Sequence, residues 1–493
     1  MNLSYRRLEI YSILYIYLGV LIFILGWVRL IIAVPCAVIF LYLLYKNYFK
    51  IGEVVFDNIL IRKRIVSVIL LGILAWLLAS GIGGFCKQSG DWHKHNAILH
   101  DLITYNWPVR YILDNNENAM LSYYLLFYLF PAFVGKLCGF RCAEIVLFLQ
   151  SALGIFLIYL HICYYLKLNT GKKQIGVFIL LIIFGGNVLL GRWIYGYIHP
   201  EDLSLSFHWF SNTVRIQYSS HIVLIRWVFP QCIVPWLVTL MLLENPYKVE
   251  EFAWIGIPVF TYSCFAFVGL IPFFVILAFA QLYQNKNIIK WIRRILSAQN
   301  IYAIFLIMPI FVFYISGNIF QEKPDIVGFH FIDYSGNFGL YIIFCLSDFL
   351  IWSIFICKKE LKNLIFYISN GILLCLPLFW FGTWNDLCMR ASIPALFALA
   401  LFFYRYILHF EIRKNIHKIQ FALCTSMLFF SALPQVNELV KNARYFSVEG
   451  EYRSDNWLTL FGELVKDGTN DEVAYNYVTY NCNDSFFVKY FAK

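Results

Sequence analysis

Residues 143–165 read AEIVLFLQSALGIFLIYLHICYY, an apolar run that contains one charged side chain, Glu144. A helix needs about 20 mostly apolar residues to cross about 30 Å of hydrocarbon. Comparable runs recur from residue 11 to residue 434, and only 14% of the 493 residues are charged. The alternating polarity of a membrane β-barrel is not found. The sequence therefore predicts an all-α, polytopic integral membrane protein.

Basic residues orient the predicted bundle, because short cytoplasmic loops carry an excess of lysine and arginine. Arg6 and Arg7 place the N-terminus inside, and the net charge of +10 comes from similar clusters between apolar runs. That distribution indicates cytoplasmic loops, so nucleic acid is not an expected partner. The predicted spans, about 13 in all, are 11–27, 28–46, 65–84, 143–165, 175–191, 222–243, two short helices within 253–283, 301–320, 339–357, 363–382, 391–409 and 418–434.

Residues 121–139 (LSYYLLFYLFPAFVGKLCG) are apolar, but they are predicted to lie along the outer surface or to dip in and return. A full crossing would put Lys167, Lys172 and Lys173 outside, against the charge rule. Pro131 in the middle of the segment also disfavours a straight helix.

With this topology the long polar segments fall on the outer face. Residues 1–434 are predicted to form the transmembrane bundle, and residues 435–493 an outer-face C-terminal tail or small cap. The outer-face loops of the bundle, with juxtamembrane helices, are 85–142, 192–221, 321–338 and 382–390. Any chemistry is therefore predicted on the outer side of the membrane.

The segment GDWHKHNAILHDLITYNWPVRY, residues 90–111, concentrates ionisable groups in the first outer loop. Asp91 lies just after a predicted span, where a carboxylate can act as a general base toward an acceptor hydroxyl. An ordinary solvated loop carboxylate is the alternative. Asp91, His93 and His95 could together hold a metal, because imidazole and carboxylate suit several divalent ions.

Three cations are candidates for binding a phosphate: Lys94, Arg110 and Arg390. The first two could instead reach toward lipid headgroups. Arg390 would stand at the start of a helix, where the macrodipole favours an anion and a cation needs a negative partner. Asp386, four residues earlier, is one candidate partner, and a bound lipid phosphate is another.

A second polar constellation lies in the loop 192–221. His199, Glu201 and Asp202 could orient a sugar hydroxyl or a metal on the outer face. The alternative is a helix start, because proline and acidic residues are favoured in a first turn. Both interpretations can hold together.

A span followed at once by a loop that begins with an aspartate, and a tyrosine-rich segment that ends in Lys-x-x-Gly before the next span, form a familiar arrangement. It resembles the C-type (GT-C) superfamily of polytopic glycosyltransferases. The resemblance covers most of residues 60–410 as a pattern of loops and not as residue identity. Asp91 matches the position of the catalytic acid of that superfamily. The chain departs from it in having Trp92 directly after Asp91, and in having two spans where one usually precedes the loop.

The resemblance implies a hexosyl- or pentosyltransferase that uses a polyprenyl-phosphate sugar on the periplasmic side of a bacterial inner membrane. Asp91 would be the general base of an inverting transfer to a glycan, lipid or protein acceptor. Membrane lipids would be further partners. No cofactor is implied, and a divalent cation stays an alternative. The donor phosphate would meet Lys94, Arg110 and Arg390, whereas the acceptor or sugar site would involve His93, His95, His199, Glu201, Asp202 and Asp386.

Three other functions are consistent with the composition. A polysaccharide or O-antigen polymerase or ligase would rely on arginines, and it would tolerate loss of Asp91. A membrane acyltransferase would use an outer or buried histidine. A lipid-linked saccharide transporter would need ionisable residues along a path through the bundle. Within the predicted spans Asp348 and Arg226 are isolated, and such residues usually face the bundle interior.

Overall fold

The computed structural model describes residues 2–49, 58–88, 90–112, 118–198, 216–316, 328–382, 385–411, 415–449 and 477–493. Its helices are α1 (Tyr5–Trp27), α2 (Leu30–Leu44), α3 (Lys63–Ala79), α4 (Trp92–Thr104), α5 (Leu126–Cys138), α6 (Phe140–Tyr165), α7 (Gly171–Ile183), α8 (Val188–Ile198), α9 (His221–Glu244), α10 (Phe252–Tyr262), α11 (Cys264–Asn285), α12 (Ile288–Ile295), α13 (Ala298–Ile315), α14 (Phe338–Cys345), α15 (Ile351–Glu360), α16 (Leu364–Cys375), α17 (Asp386–Ala391), α18 (Ile393–Leu408), α19 (Asn415–Ala443) and α20 (Phe486–Tyr490). The described strands are short: β1 (Asn2–Ser4), β2 (Asn58–Leu60), β3 (Arg110–Ile112), β4 (Asn118–Leu121), β5 (His330–Phe331), β6 (Phe379–Trp380) and β7 (Val478–Thr479).

Helices long and apolar enough to cross a membrane confirm the class of protein predicted from the sequence. Within the described residues there are 10 of them, namely Tyr5–Trp27, Leu30–Tyr48, Phe140–Tyr165, Gly171–Tyr197, His221–Glu244, Cys264–Asn285, Ala298–Ile315, Phe338–Glu360, Asp386–Leu408 and Asn415–Ala443. The other predicted spans fall on the shorter helices α3, α10 and α16. The chain is therefore a polytopic helical membrane protein, and the count of about 13 spans stays a prediction.

Two predicted spans differ in detail from the observed helices. The run 253–283 does contain two helices, but only α10 is short, because α11 extends over 22 residues after the chain bends at Ser263. The predicted span 175–191 lies within the segment Gly171–Tyr197 counted above, but the helix of that segment is interrupted. It is broken between α7 and α8, where residues 184–187 have no helical structure.

The start of α5 packs inside the bundle, while its position relative to the membrane surface stays a prediction. The first carbonyl of α5 packs against the middle of α1, where a methyl group on Gly19 would lie 2.5 Å from the oxygen of Leu126. Gln150, in the third turn of α6, donates to the Phe127 carbonyl at 3.0 Å. At its other end α5 meets the start of α6 through Gly139, whose φ of +86° turns the chain. Helix α5 therefore runs back from the interior toward the start of α6.

Strands β3, β4 and β7 and the C-terminal segment gather at one end of the bundle, whereas β1 and β2 pair with each other beside the start of α1. Strand β4 pairs with β3 on one side and with β7 on the other, so residues 477–493 join the loop before α5. Val28, between α1 and α2, forms a bridge with Ala492. Beyond α19, the Ser447 amide donates to the Phe85 carbonyl at 2.9 Å. The loops that meet here are those that the sequence assigns to the outer face.

A buried polar network joins α1, α6 and α9 toward the other end of the bundle. Ser12 Oγ lies 2.8 Å from His161 Nε2, and His161 Nδ1 lies 2.9 Å from the Glu244 carboxylate. Tyr5 donates to the same carboxylate at 2.9 Å. Buried polar groups of this kind are satisfied by one another, so the network holds three helices in register.

Candidate active site

Asp91 stands at the rim of the bundle, at the start of α4. Its carboxylate makes no capping hydrogen bond, its side chain is 51% exposed, and it lies 3.5 Å from the Lys94 ammonium. The preceding Gly90 has φ +61° and packs under the ring of Trp227, where an added methyl group would lie 2.9 Å away. This close approach fixes where α4 begins. The Asp91 carboxylate at this position is half-exposed, so a ligand can reach it.

His95 lies one turn further along α4 and is buried. Its Nε2 is 3.0 Å from the Trp227 carbonyl oxygen, which can only accept, so Nε2 carries the proton. Nδ1 then accepts from the Tyr128 hydroxyl. Burial lowers the pKa of His95, while the nearby Asp91 opposes that shift. The ring is therefore a neutral connector between α4, α5 and α9.

Arg390 forms the ion pair that its spacing from Asp386 predicts. Nη2 lies 3.0 Å from Asp386 Oδ1, and the two side chains are only 16% and 20% exposed. Asn385, with φ +55°, begins α17 and accepts from the Cys388 amide at 3.4 Å. Gly382 lets the chain approach Asp386, since a methyl group there would lie 2.7 Å from Oδ2. The Arg390 Nε is buried and makes no hydrogen bond to any described residue, so a ligand could accept from this strong donor.

Two tyrosines connect Asp91 to Arg390. The rings of Tyr123 and Tyr477 pack with centroids 4.5 Å apart, and the Lys94 ammonium lies over the Tyr477 ring at 5.6 Å. Burial raises the pKa of Tyr477, Asp91 raises it further, and Arg390 lowers it. The Asp91 carboxylate and the Arg390 guanidinium are therefore both close enough to Tyr477 to affect its phenol electrostatically.

The two phenols stay protonated at neutral pH. Burial is also the main reason why the pKa of Tyr123 is raised, with Arg390 and Lys94 opposing it. A protonated phenol can donate a hydrogen bond to an anionic oxygen. We call the following residues the rim cluster: Asp91, Lys94, His95, Tyr123, Asp386, Arg390 and Tyr477. It combines two cations, two phenol donors and a half-exposed carboxylate, which suits a ligand with one anionic group and one hydroxyl.

The other predicted site residues do not join the rim cluster within the described residues. Arg110 lies at an exposed position of β3 and interacts electrostatically with the Cys482 thiol. His93 is exposed on α4, on a different side from the buried His95. His199, Glu201 and Asp202 lie outside the described residues.

The metal alternative gains no support from the described residues. No group of three or more His, Cys, Asp or Glu side chains there is arranged to hold an ion. Both ring nitrogens of His95 are already hydrogen-bonded within the protein. A metal ligand needs a free lone pair on one of them, so His95 cannot serve without breaking one of these bonds.

Tyr123 and Tyr477 are the functional candidates that sequence reasoning missed. Their signal was weak, because tyrosine is abundant here and the two belong to segments far apart in the chain. A second missed feature is Asp101, which is fully buried and accepts from the Tyr111 hydroxyl at 2.5 Å. That hydrogen bond links α4 to β3, so a structural role accounts for the burial of the Asp101 carboxylate.

Comparison of the chain with protein-family models, with curated proteins and with solved structures found no match in any of the three.

Proposed function

We propose that the chain is a membrane glycosyltransferase that moves a sugar from a polyprenyl-phosphate donor to an acceptor hydroxyl. The reaction would take place at the rim cluster, on the outer face of a bacterial inner membrane. The supporting observation is geometric: Lys94 lies 3.5 Å from the Asp91 carboxylate and over the ring of Tyr477, whose pKa the Arg390 guanidinium also affects. A base and an anion-binding cation thus flank the same pair of phenols.

The donor phosphate would bind at Arg390, whose Nε has no partner in the described part of the chain, with Lys94 as the second cation. Arginine suits this role because its fork of donors matches the oxygens of a phosphate. Asp386 would hold the guanidinium in place from the opposite side. The phenol of Tyr477 would donate to a third phosphate oxygen. The isoprenoid tail would extend between the helices of the bundle.

Transfer would occur in one displacement with inversion. Asp91 takes the proton of the acceptor hydroxyl while the hydroxyl oxygen forms a bond to the anomeric carbon. The bond from that carbon to the phosphate oxygen breaks, and its electron pair leaves with the polyprenyl phosphate. The cations stabilise the charge that develops on the leaving oxygen, so no second carboxylate is needed.

The experiment is turnover of a panel of polyprenyl-phosphate sugars by the purified protein in lipid. Loss of a general base lowers rates by about 10²–10⁴-fold, so Asp91→Asn should lower kcat by at least about 100-fold while donor binding stays within about threefold. The matched control is Asp484→Asn, an exposed carboxylate at the same end of the bundle, which should keep wild-type turnover. Turnover by Asp91→Asn at the wild-type rate would refute the assigned role of the carboxylate.

The buried Arg390 also favours a second candidate, an arginine-based polymerase or ligase of diphosphate-linked oligosaccharides. Such an enzyme would bind its diphosphate at the same cation, but it would not depend on Asp91. Turnover of a polyprenyl-diphosphate oligosaccharide by both the wild type and Asp91→Asn would select this function. Loss of that turnover in Arg390→Lys would locate it at the rim cluster.

A further inference from the structure

A break inside a candidate membrane span separates α7 from α8. The apolar segment Gly171–Tyr197 is long enough to cross, yet residues 184–187 are not helical and include Gly185 and Gly186. Irregular backbone at membrane depth is tolerated only where protein or a polar cavity surrounds it, because lipid offers no hydrogen bonds. Interrupted helices of this kind often bind ions, since the carbonyl end of the first half points into the break.

Neighbouring helices satisfy several backbone groups of the break. The Gly185 carbonyl accepts from Trp352 Nε1 at 3.1 Å and from Ser431 Oγ at 2.9 Å. The Asn187 amide donates to the Ser347 carbonyl at 3.1 Å. The irregular backbone is therefore part of a defined structure, surrounded by α15, α19 and the turn that follows α14.

Asp348 lies directly against this break. Its side chain is fully buried in a π-helical turn at residues 346–350. Oδ2 is 3.3 Å from the Ser347 hydroxyl, whereas Oδ1 has no hydrogen-bond partner among the residues that the structure describes. A methyl group on Gly186 would lie 2.2 Å from Oδ1, so the carboxylate fills the space of the missing side chain. No ion pair involving Asp348 is formed among the described residues.

Two amide side chains beside the same residues also lack partners. Within the described ranges, both polar atoms of the Asn187 side chain are buried without a hydrogen bond, and so is Gln435 Oε1. The Gln435 amide packs against Gly185, 2.9 Å from the position of an added methyl group. The three side chains therefore line the same short stretch of backbone, residues 185–187.

We propose that Asp348, Asn187 and Gln435 form a buried site for one monovalent cation, either a proton or a sodium ion. A buried carboxylate must be paired, bound to a cation or neutralised, and Asp348 has no cationic partner in the described structure. The unsatisfied acceptors are all oxygens, which suit hard cations and not soft ones. One carboxylate balances one positive charge.

Few titratable groups face the proposed site. Those that act on Asp348 electrostatically are Tyr218, Cys345 and Cys388. Helix α8, which packs against the π-helical turn, carries Arg192. The phenol and the thiols carry no charge at neutral pH. Replacement of Asp348 by a residue that cannot ionise should therefore change how the stability of the protein responds to cations or to pH, because the phenol and the thiols at the site carry no charge to contribute.

The test is the thermal unfolding midpoint of the purified protein in detergent. Measurements in equal concentrations of sodium, potassium and N-methylglucamine chloride are repeated between about pH 5 and pH 8. If sodium is the occupant, the midpoint rises by at least about 2 °C in sodium chloride only. If a proton is the occupant, the midpoint falls as the pH rises, equally in all three salts.

Asp348→Asn keeps the shape of the side chain and should abolish the rise of the midpoint in sodium, or its fall as the pH rises, whichever the wild type shows. The matched control, Asp484→Asn, should keep it. Gly186→Ala, whose methyl group would collide with Oδ1, should weaken the same dependence and provides a second variant. A wild-type midpoint that neither rises in sodium nor falls as the pH rises would overturn the proposal. So would an unchanged dependence in folded Asp348→Asn.

Discussion

Tyr477 and Tyr123 pack against each other with their ring centroids 4.5 Å apart, although 354 positions separate them in the chain. Strand β7 begins directly after Tyr477 and pairs with β4, which ends two residues before Tyr123. The sheet therefore fixes the distance between the rings. Because of this contact the C-terminal segment supplies part of the rim cluster and is more than a cap on the bundle.

Tyr477→Phe removes one hydroxyl and keeps the ring contact with Tyr123. Hydrogen bonds to charged groups contribute about 1.5–3 kcal/mol, so the Kd for a polyprenyl-phosphate sugar should rise about tenfold or more. Unfolding should be unaffected. Equilibrium binding of the donor to the purified protein checks this, with Tyr490→Phe at an exposed position as the control. Equal affinities of the two variants would show that the hydroxyl does not contact the donor.

Arg390 and Asp386 should be coupled in stability as well as in function. Arg390→Met leaves the mostly buried Asp386 carboxylate without its cation, and we expect a loss of about 1.5–3 kcal/mol in the free energy of unfolding. Asp386→Asn alone should cost a similar amount. The double variant should be more stable than the sum of the two losses predicts, which a double-mutant cycle from denaturant unfolding measures. Additive losses would mean that the ion pair contributes no net coupling.

Local sequence patterns account for the helices and for this ion pair. Apolar length predicts the spans, since each is decided by about 20 consecutive residues. The pairing of Asp386 with Arg390 follows from i, i+4 spacing on one helix. Such signals need no knowledge of distant segments.

Features that depend on tertiary packing could not be predicted in the same way. Nothing near Tyr477 indicates that its ring reaches Tyr123, because strand pairing between distant segments has no local signature. The break between α7 and α8 had a signal, the Gly185-Gly186 pair, since adjacent glycines mark irregular structure. The apolar residues around the pair outweighed it, and the span was predicted as continuous. The sequence shows Asp348 as an isolated acidic residue within a predicted span, but it gives no sign of the contact with Gly186.

His95 should make the protein less stable in acid. Burial lowers the pKa of His95 below its ordinary value of 6.5. Between the two values the unfolded chain binds more protons than the folded chain, so stability rises with pH there. The stabilisation is complete above about pH 6.5 and is lost as the pH falls through the folded-state pKa.

Replacement of His95 by glutamine should flatten this acid limb of the unfolding midpoint against pH. The control is His330→Gln, at an exposed position of β5, which should keep the wild-type profile. Both variants are compared over the same pH range by thermal unfolding in detergent. An acid limb that is equally steep in His95→Gln would mean that other groups cause it.

Gly19 should be needed for the close packing of the start of α5 against α1. A methyl group there would lie 2.5 Å from the Leu126 carbonyl oxygen and 2.8 Å from the Tyr262 hydroxyl, so neither backbone nor ring has room for it. Overpacking of this kind costs about 1–3 kcal/mol, and Gly19→Ala should lower the unfolding midpoint accordingly. Gly371 in α16 has nothing within 4 Å of the same position. Gly371→Ala should therefore be neutral or stabilising by up to about 1 kcal/mol, because alanine favours a helix. If both substitutions had the same effect, the packing of α5 against the middle of α1 would be wrong.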